Sequence, residues 1–305
     1  MLTFLSCMKT ANDWPALPLE TWRDTYATVH LWTQIAGKAA LALAPPINHF
    51  WSIALQVTSR GLATLPLMYG GRSFTMTFDF VDHQFVVQCS DGTTEIISLE
   101  PRTVADFYRL VMDALLRLGV KVRIWPMAVE IPNPIRLDTN VAHHSYDPQA
   151  ANAFWRILVA IKAVFENFRS AFVGKSSPVH FFWGSFDLAS TRFSGRPAPE
   201  RPGADAVTKE AYSHEVISHG FWPGGGAIQE PVFYAYAAPE PAGFKDARVQ
   251  PQAAFYSKDM SEFFLPYEAV RSSQSPEADL TAFLTTTYNA GADLGNWDRA
   301  NLERN

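Results

Sequence analysis

Between Pro178 and Gly226 the chain gathers side chains that can move protons, ligate metals or hold anions. The stretch opens with Val179-His180-Phe181-Phe182-Trp183-Gly184-Ser185-Phe186-Asp187. It closes with Tyr212-Ser213-His214-Glu215-Val216-Ile217-Ser218-His219-Gly220-Phe221-Trp222-Pro223-Gly224-Gly225-Gly226. Within it, Glu215 and His219 are four residues apart. That spacing puts two side chains on one face of a helix, and an even spacing does the same on a strand. The pair reads as a carboxylate-oriented imidazole, serving as general base or metal ligand. The plainer alternative is a structural hydrogen bond beside a turn. His214, five residues before His219, falls on a different face under either assignment. The zinc-protease signature, two histidines four apart on a helix with a glutamate between, is absent.

Other constellations are weaker. His180, Asp187, His214, Glu215 and His219 carry metal-donor atoms, but catalytic zinc needs three converging protein ligands. On one continuous strand, His180 and Asp187, seven apart, face opposite ways, so no residue is assigned to a metal. Ser185 and Asp187 share a strand face with Trp183, yet the G-x-S-x-G elbow of a serine nucleophile is missing. Arg192, Arg196 and Arg201 punctuate a Pro/Gly loop, and Gly224-Gly225-Gly226 offers backbone N–H groups to an anion. With Arg60 they form a candidate anion site, against the simpler reading of solvated arginines. No nucleotide-binding glycine motif accompanies them. Trp183, Phe221, Trp222, Tyr234 and Tyr236 would line an apolar pocket or belong to the core.

The elements that must position these groups follow from pattern. Residues 22–43 read as a helix ended by Pro45-Pro46. Its Tyr26, His30, Gln34 and Lys38 recur every fourth residue as one polar ridge, read either as the solvent face or as the wall of a cavity. Strands are expected at 51–60, 73–89, 93–99 and 120–125, with a hairpin turn at Ser90-Asp91-Gly92. A helix opens at Thr103 and stops at Gly119. Asp147-Pro148 starts the most secure helix, with Phe154, Ile157, Leu158, Ile161, Phe165, Phe168 and Phe172 on one face. Strands at 179–192, 232–237, 253–257 and 262–267 and a helix from Ser275 to about Ala292 complete the reading.

That order predicts an α+β fold of two related halves, each helix–strands–helix with antiparallel sheet covered by helices. A shift of 132 residues sets Trp51 on Trp183 and Arg60 on Arg192, which suggests an internal tandem duplication. Residues 1–13 are expected to be a flexible terminus, with 1–7 dispensable and Met8 a second start. Residues 14–135 form the first half, and 136–305 form the second, packed on it as one unit. A ligand site is expected where the halves meet.

Composition bounds the function. The 305-residue chain is 48% apolar and carries a net charge of −5, enough apolar side chain for a sizeable core. No run of Lys and Arg supplies a nucleic-acid surface, and no apolar run is long enough to span a membrane. Two cysteines, Cys7 and Cys89, imply no disulfide framework and suit a reducing cytoplasm.

Four strings carry a resemblance: His30-Leu31-Trp32-Thr33-Gln34-Ile35; Arg72-Ser73-Phe74 with Phe78-Asp79-Phe80-Val81-Asp82-His83; the stretch from His180 to Ala189; and Ser213 to Gly225. They are similar to a bacterial family, domain of unknown function 5996, over about Trp14 to Asp298. The resemblance implies that the chain is one unit and brings no activity with it.

The leading expectation is an enzyme acting on a small anionic organic molecule. Glu215 and His219 would be its acid–base pair, with His214, His30 and Asp187 beside them. Arg60, Arg192, Trp183, His180 and Trp222 would hold the substrate. The alternative is a non-catalytic protein that binds a small ligand or a partner, and the third reading is a metal-dependent enzyme. The sequence specifies no cofactor and no oligomeric state.

Overall fold

The computed structural model describes residues 14–226 and 228–304. The expectations for residues 1–13, Cys7 and Met8 among them, lie outside the described residues. The fold is α+β.

The first half begins with α1 (Leu19–Leu43). Residues Thr28 to Ala40 of this helix are all buried, His30, Gln34 and Lys38 of the polar ridge included, and Tyr26 is half-buried, so α1 is a central strut and its ridge is not a solvent face. A 3-10 segment follows at Asn48–Ile53. Then come β1 (Gln56–Val57), β2 (Gly61–Ala63), β3 (Leu67–Tyr69), β4 (Arg72–Asp79), β5 (Gln84–Cys89) and β6 (Thr94–Ser98). They form one antiparallel sheet in the order β1-β2-β4-β5-β6, with β3 also paired to β4. Phe74, Met76 and Phe78 of β4 and Phe85 and Val87 of β5 alternate with less buried neighbours. One face of this sheet therefore meets the core and the other meets water, as alternation requires. α2 (Val104–Arg117) covers the inner face, its first turn capped by the Thr103 hydroxyl accepting from the Asp106 N–H. Trp32 of α1 stacks on Phe107 of α2 at 4.6 Å between ring centroids.

The second half begins with α3 (Pro148–Ser170). Asp147 caps it, accepting from the N–H groups of Gln149 and Ala150, and Pro148 stands where no N–H is needed. β7 (His180–Phe182), β8 (Asp187–Pro197), α4 (Ala206–Ala211), β9 (His214–Trp222), β10 (Val232–Ala238), β11 (Phe255–Ser257) and β12 (Glu262–Pro266) follow. α5 (Tyr267–Arg271), α6 (Pro276–Leu294) and α7 (Arg299–Leu302) end the chain. The second sheet is antiparallel in the order β11-β12-β10-β9-β8-β7. Leu55 bridges to Phe181, so the 3-10 segment and its flank lie against the edge of the second sheet.

Four strand expectations need correction. Residues 51–60 are not one strand: the 3-10 segment ends at Ile53 and only Gln56–Val57 are extended and paired. Residues 73–89 and 179–192 are each a hairpin of two strands, broken at His83 and Phe186, which take the left-handed backbone that periodicity does not reveal. Among the described residues, 120–125 pair with no strand. The duplication receives no support, because the two sheets differ in strand order. Trp51 stands in a 3-10 segment and Trp183 in a turn. Arg60 is half-exposed and ion-paired, while Arg192 is buried.

Candidate functional site

The α1 ridge meets the second half at the β7–β8 turn, residues 183–186. The His30 Nε2–H donates to the Gly184 carbonyl at 3.0 Å. The Gln34 amide reaches the carbonyls of Trp183 and Gly184 at 3.4 Å. The Trp183 ring lies flat on Gly37, where a Cβ would come within 2.2 Å of the indole; only glycine permits that approach. The Trp183 indole N–H donates to the Ile53 carbonyl at 3.0 Å. Phe186, at φ 60°, turns its ring under Tyr26, His30 and Phe154. This non-glycine residue in left-handed backbone costs about 1 kcal/mol or more, and its burial with four aromatic neighbours holds it there.

The turn also changes which residues share a face. Phe182 pairs with Asp187 and His180 with Ala189, so His180 and Asp187 lie on the same face of the sheet. The expectation of opposite faces assumed a single strand. Gly220 and Tyr234 continue the row of His180 and Ala189 across β9 and β10. Phe264 pairs with Tyr234 on β12, and Glu262, two residues earlier, shares its face. Tyr234 lies over Gly220, whose added Cβ would fall 2.1 Å from the tyrosine Cζ. From there its hydroxyl donates to Asp187, which also accepts from the Ser185 hydroxyl.

This face carries unusual electrostatics. Burial pushes the Asp187 carboxyl up, against the lowering effect of its two hydroxyl donors. Burial, and then the charge of Asp187, pushes Glu262 up to about 7. Among the described residues neither forms an ion pair, and no basic group contributes to either shift. Tyr26, raised to about 12 chiefly by burial, feels Asp187 and lies against Trp222. Tyr234 and Tyr236 stack at 6.1 Å, and both hydroxyls are held well above the usual tyrosine range by burial. Carboxyls with raised pKa values facing a common surface are the sort of group that active sites tune.

The remaining expected residues are placed elsewhere. Glu215 and His219 do share the face of β9 toward α6, but they have separate partners. Glu215 accepts from Ser194 at 2.9 Å and from Arg196 at 2.6 Å, beside a cavity of about 200 Å³ lined also by Gly291, Gly295 and Trp297. His219 is fully buried, with Nε2 3.0 Å from the Thr287 hydroxyl and its ring edge-on to Phe168. Burial, then Arg192, lowers it to about 3. His214 sits on the opposite face, with Nδ1 3.0 Å from the Ser213 hydroxyl. Arg60 is committed to Asp79 and Asp82, each at 2.5 Å. The Arg192 guanidinium, lowered to about 10 by burial, lies 3.6 Å from the Phe168 ring centroid and 4.2 Å from that of Tyr288. His180 is fully buried between Trp51 and Phe182 and lowered to about 4, first by burial. Among the described residues neither of its ring nitrogens finds a partner. His30 is likewise lowered to about 4 by burial. No group of three His, Cys, Asp or Glu side chains among the described residues is placed to hold a metal ion.

Of the residues singled out in the sequence, Asp187, His180, Trp222, Tyr234 and Tyr236 share this face, and His30 bonds the turn beside it. It missed Glu262. A lone acid in the apolar strand Glu262-Phe263-Phe264-Leu265 was the available signal.

The chain belongs to the Family of unknown function (DUF5996), whose family model matches residues 14–304. No curated protein and no solved structure matches the chain. Among the described residues no helix is long and apolar enough to cross a membrane.

Proposed function

We propose that the face of the second sheet carrying Asp187, Tyr234 and Glu262 binds a small organic cation, and that Glu262 exchanges a proton with it as an acid–base catalyst. One arrangement carries this reading: the buried Asp187 and the half-buried Glu262 lie on one face of the sheet among aromatic rings, and among the described residues neither has a cationic partner; burial raises both carboxyls. A bound ammonium would supply the missing charge, and Trp222, Tyr234 and Tyr236 offer ring faces that attract cations. A carboxyl titrating near neutrality is suited to proton transfer. The anionic substrate expected from the sequence has less behind it, since Arg60, Arg192 and Arg196 are engaged with carboxylates, backbone or aromatic rings. Non-catalytic binding of the same cation is the alternative, and it would leave the ligand's carbon-bound protons unexchanged in D2O.

Calorimetric titration with phenethylamine, phenylethanol and phenylacetate tests the reading. The amine is expected to bind and the other two are not. Cation binding favours ionised carboxyls, so affinity should rise with pH, by at most about tenfold per unit, up to about 7 where Glu262 is ionised, and then level off. Preference for phenylacetate, or an affinity that falls across this range, overturns it.

A further inference from the structure

A separate group, at the other end of the α1 ridge, is not used by that reading. Lys38 is 7% exposed, yet among the described residues it makes no ion pair within 4 Å. Its Nζ lies 5.6 Å from the Trp183 ring centroid and 5.9 Å from that of Trp125. The neighbouring charge is Glu130, which packs against Gly184 on the near side of the same turn. One turn earlier on α1, the buried Gln34 Oε1 has no partner among the described residues. Two other lysines have conventional acceptors: Lys162 on the Val57 carbonyl at 2.9 Å and Lys175 on His49 at 2.6 Å. Burial lowers the Lys38 ammonium, only partly opposed by Glu130. Trp125, 64% exposed on the irregular connection after α2, forms the outer wall beside it.

An amine held among apolar rings, with a carboxylate nearby and an unfilled carbonyl acceptor one turn away, has the makings of a covalent nucleophile. We infer that Lys38 is a nucleophilic amine that condenses with a small aldehyde or keto acid. The Nζ lone pair attacks the carbonyl carbon, forming the C–N bond while the carbonyl oxygen takes a proton. The resulting carbinolamine loses that oxygen as water and the nitrogen gives up its proton, leaving a C=N imine. Glu130 relays the protons, and the Gln34 Oε1 accepts a hydrogen bond from the carbinolamine hydroxyl. Amine plus carbonyl gives imine plus water, so no oxidant or reductant takes part.

A purely structural Lys38 makes the opposite forecast about reactivity, which gives a direct test. The intact protein is treated with glyoxylate and cyanoborohydride, quenched at short times, digested and mapped by mass spectrometry. Lys38 should be alkylated at least tenfold faster than the exposed Lys121, Lys245 and Lys258. Glu130→Gln should slow Lys38 alone, and Lys38→Arg should abolish the fast phase. Because the order of labelling is read in the unmodified protein, it does not depend on a variant folding. Lys38 labelled no faster than the exposed lysines overturns the inference, and this outcome leaves the carboxyl face untouched.

Discussion

The two sheets have similar strand numbers and opposite treatment of polar groups. In the first, polar side chains lie on the solvent face or find immediate partners. Its buried acid, Asp79, accepts from Arg60 at 2.5 Å and from the Val81 and Asp82 N–H groups at 2.9 Å. After burial is taken into account, those donors hold its carboxyl below the usual range. In the second sheet His180, Asp187, Ser190, Arg192, Ser218 and His219 are all buried. Asp187 is raised where Asp79 is lowered: deep burial outweighs the two hydroxyl donors of Asp187, whereas a guanidinium and two backbone N–H groups outweigh the weaker burial of Asp79. Burying a carboxyl without a cation costs stability, and the structure bears that cost only in the second sheet. On the proposed reading, that cost is borne where a ligand's charge would offset it.

The contrast breaks most sharply at glycine. Gly220→Ala sets a methyl 2.1 Å from the Tyr234 ring. It should cost about 3 kcal/mol by chemical denaturation, the upper part of the overpacking range, and should free Asp187 from its phenol donor. In the first sheet, Gly70→Ala meets nothing within 4 Å and pays only for its positive φ, about 1 kcal/mol.

Next in size is the pH dependence. A carboxyl whose folded pKa is raised binds more protons folded than unfolded, so stability falls as pH rises between the two values. For Glu262 that window runs from 4.5 to about 7. Glu262→Gln should remove a decline on the order of 2 kcal/mol across it. The buried imidazoles act in the other direction. His30 and His180, near 4, and His219, near 3, bind fewer protons folded than unfolded. Their stability is therefore complete above 6.5 and is lost as pH falls toward those values. His219→Gln should flatten the acid side of a denaturation-versus-pH curve while leaving the region above 6.5 unchanged in slope.

Truncating His30 removes the 3.0 Å bond to Gly184 that joins the halves. His30→Ala should cost about 1–3 kcal/mol and weaken amine binding by loosening the turn that carries Ser185 and Asp187. A variant of full stability with unaltered binding would show that the turn is held without the ridge. The smallest effect is expected at Arg109→Ala, whose pairs with Asp106 and Asp113 are exposed; it should lower the melting midpoint by about a degree, because exposed ion pairs contribute little.

Helices were legible in the sequence because their caps and apolar stripes are local. Thr103, Asp147 and Pro148 act as their positions imply. The ridge on α1 was legible as an oddity, since Tyr, His and Gln do not suit a solvent face, and it is buried. Hairpins were lost where the turn used His83 or Phe186 in place of glycine, because no residue preference announces a left-handed phenylalanine. That loss had consequences for the site. Reading 179–192 as one strand separated His180 from Asp187, and the pairing of Phe182 with Asp187 reunites them. Glu215 and His219 show the converse limit: the shared face was correctly read, but spacing along a strand says nothing of what Arg196 and Thr287 bring from outside it.

The central claim concerns the charge state of one carboxyl. Carbon-13 labelling of glutamate side chains, with Glu262→Gln to assign the resonance, allows Glu262 to be titrated directly. The account predicts a midpoint near 7 in the free protein, falling by a unit or more when phenethylamine is added. A midpoint near 4.5, or one that the amine leaves unmoved, would contradict it.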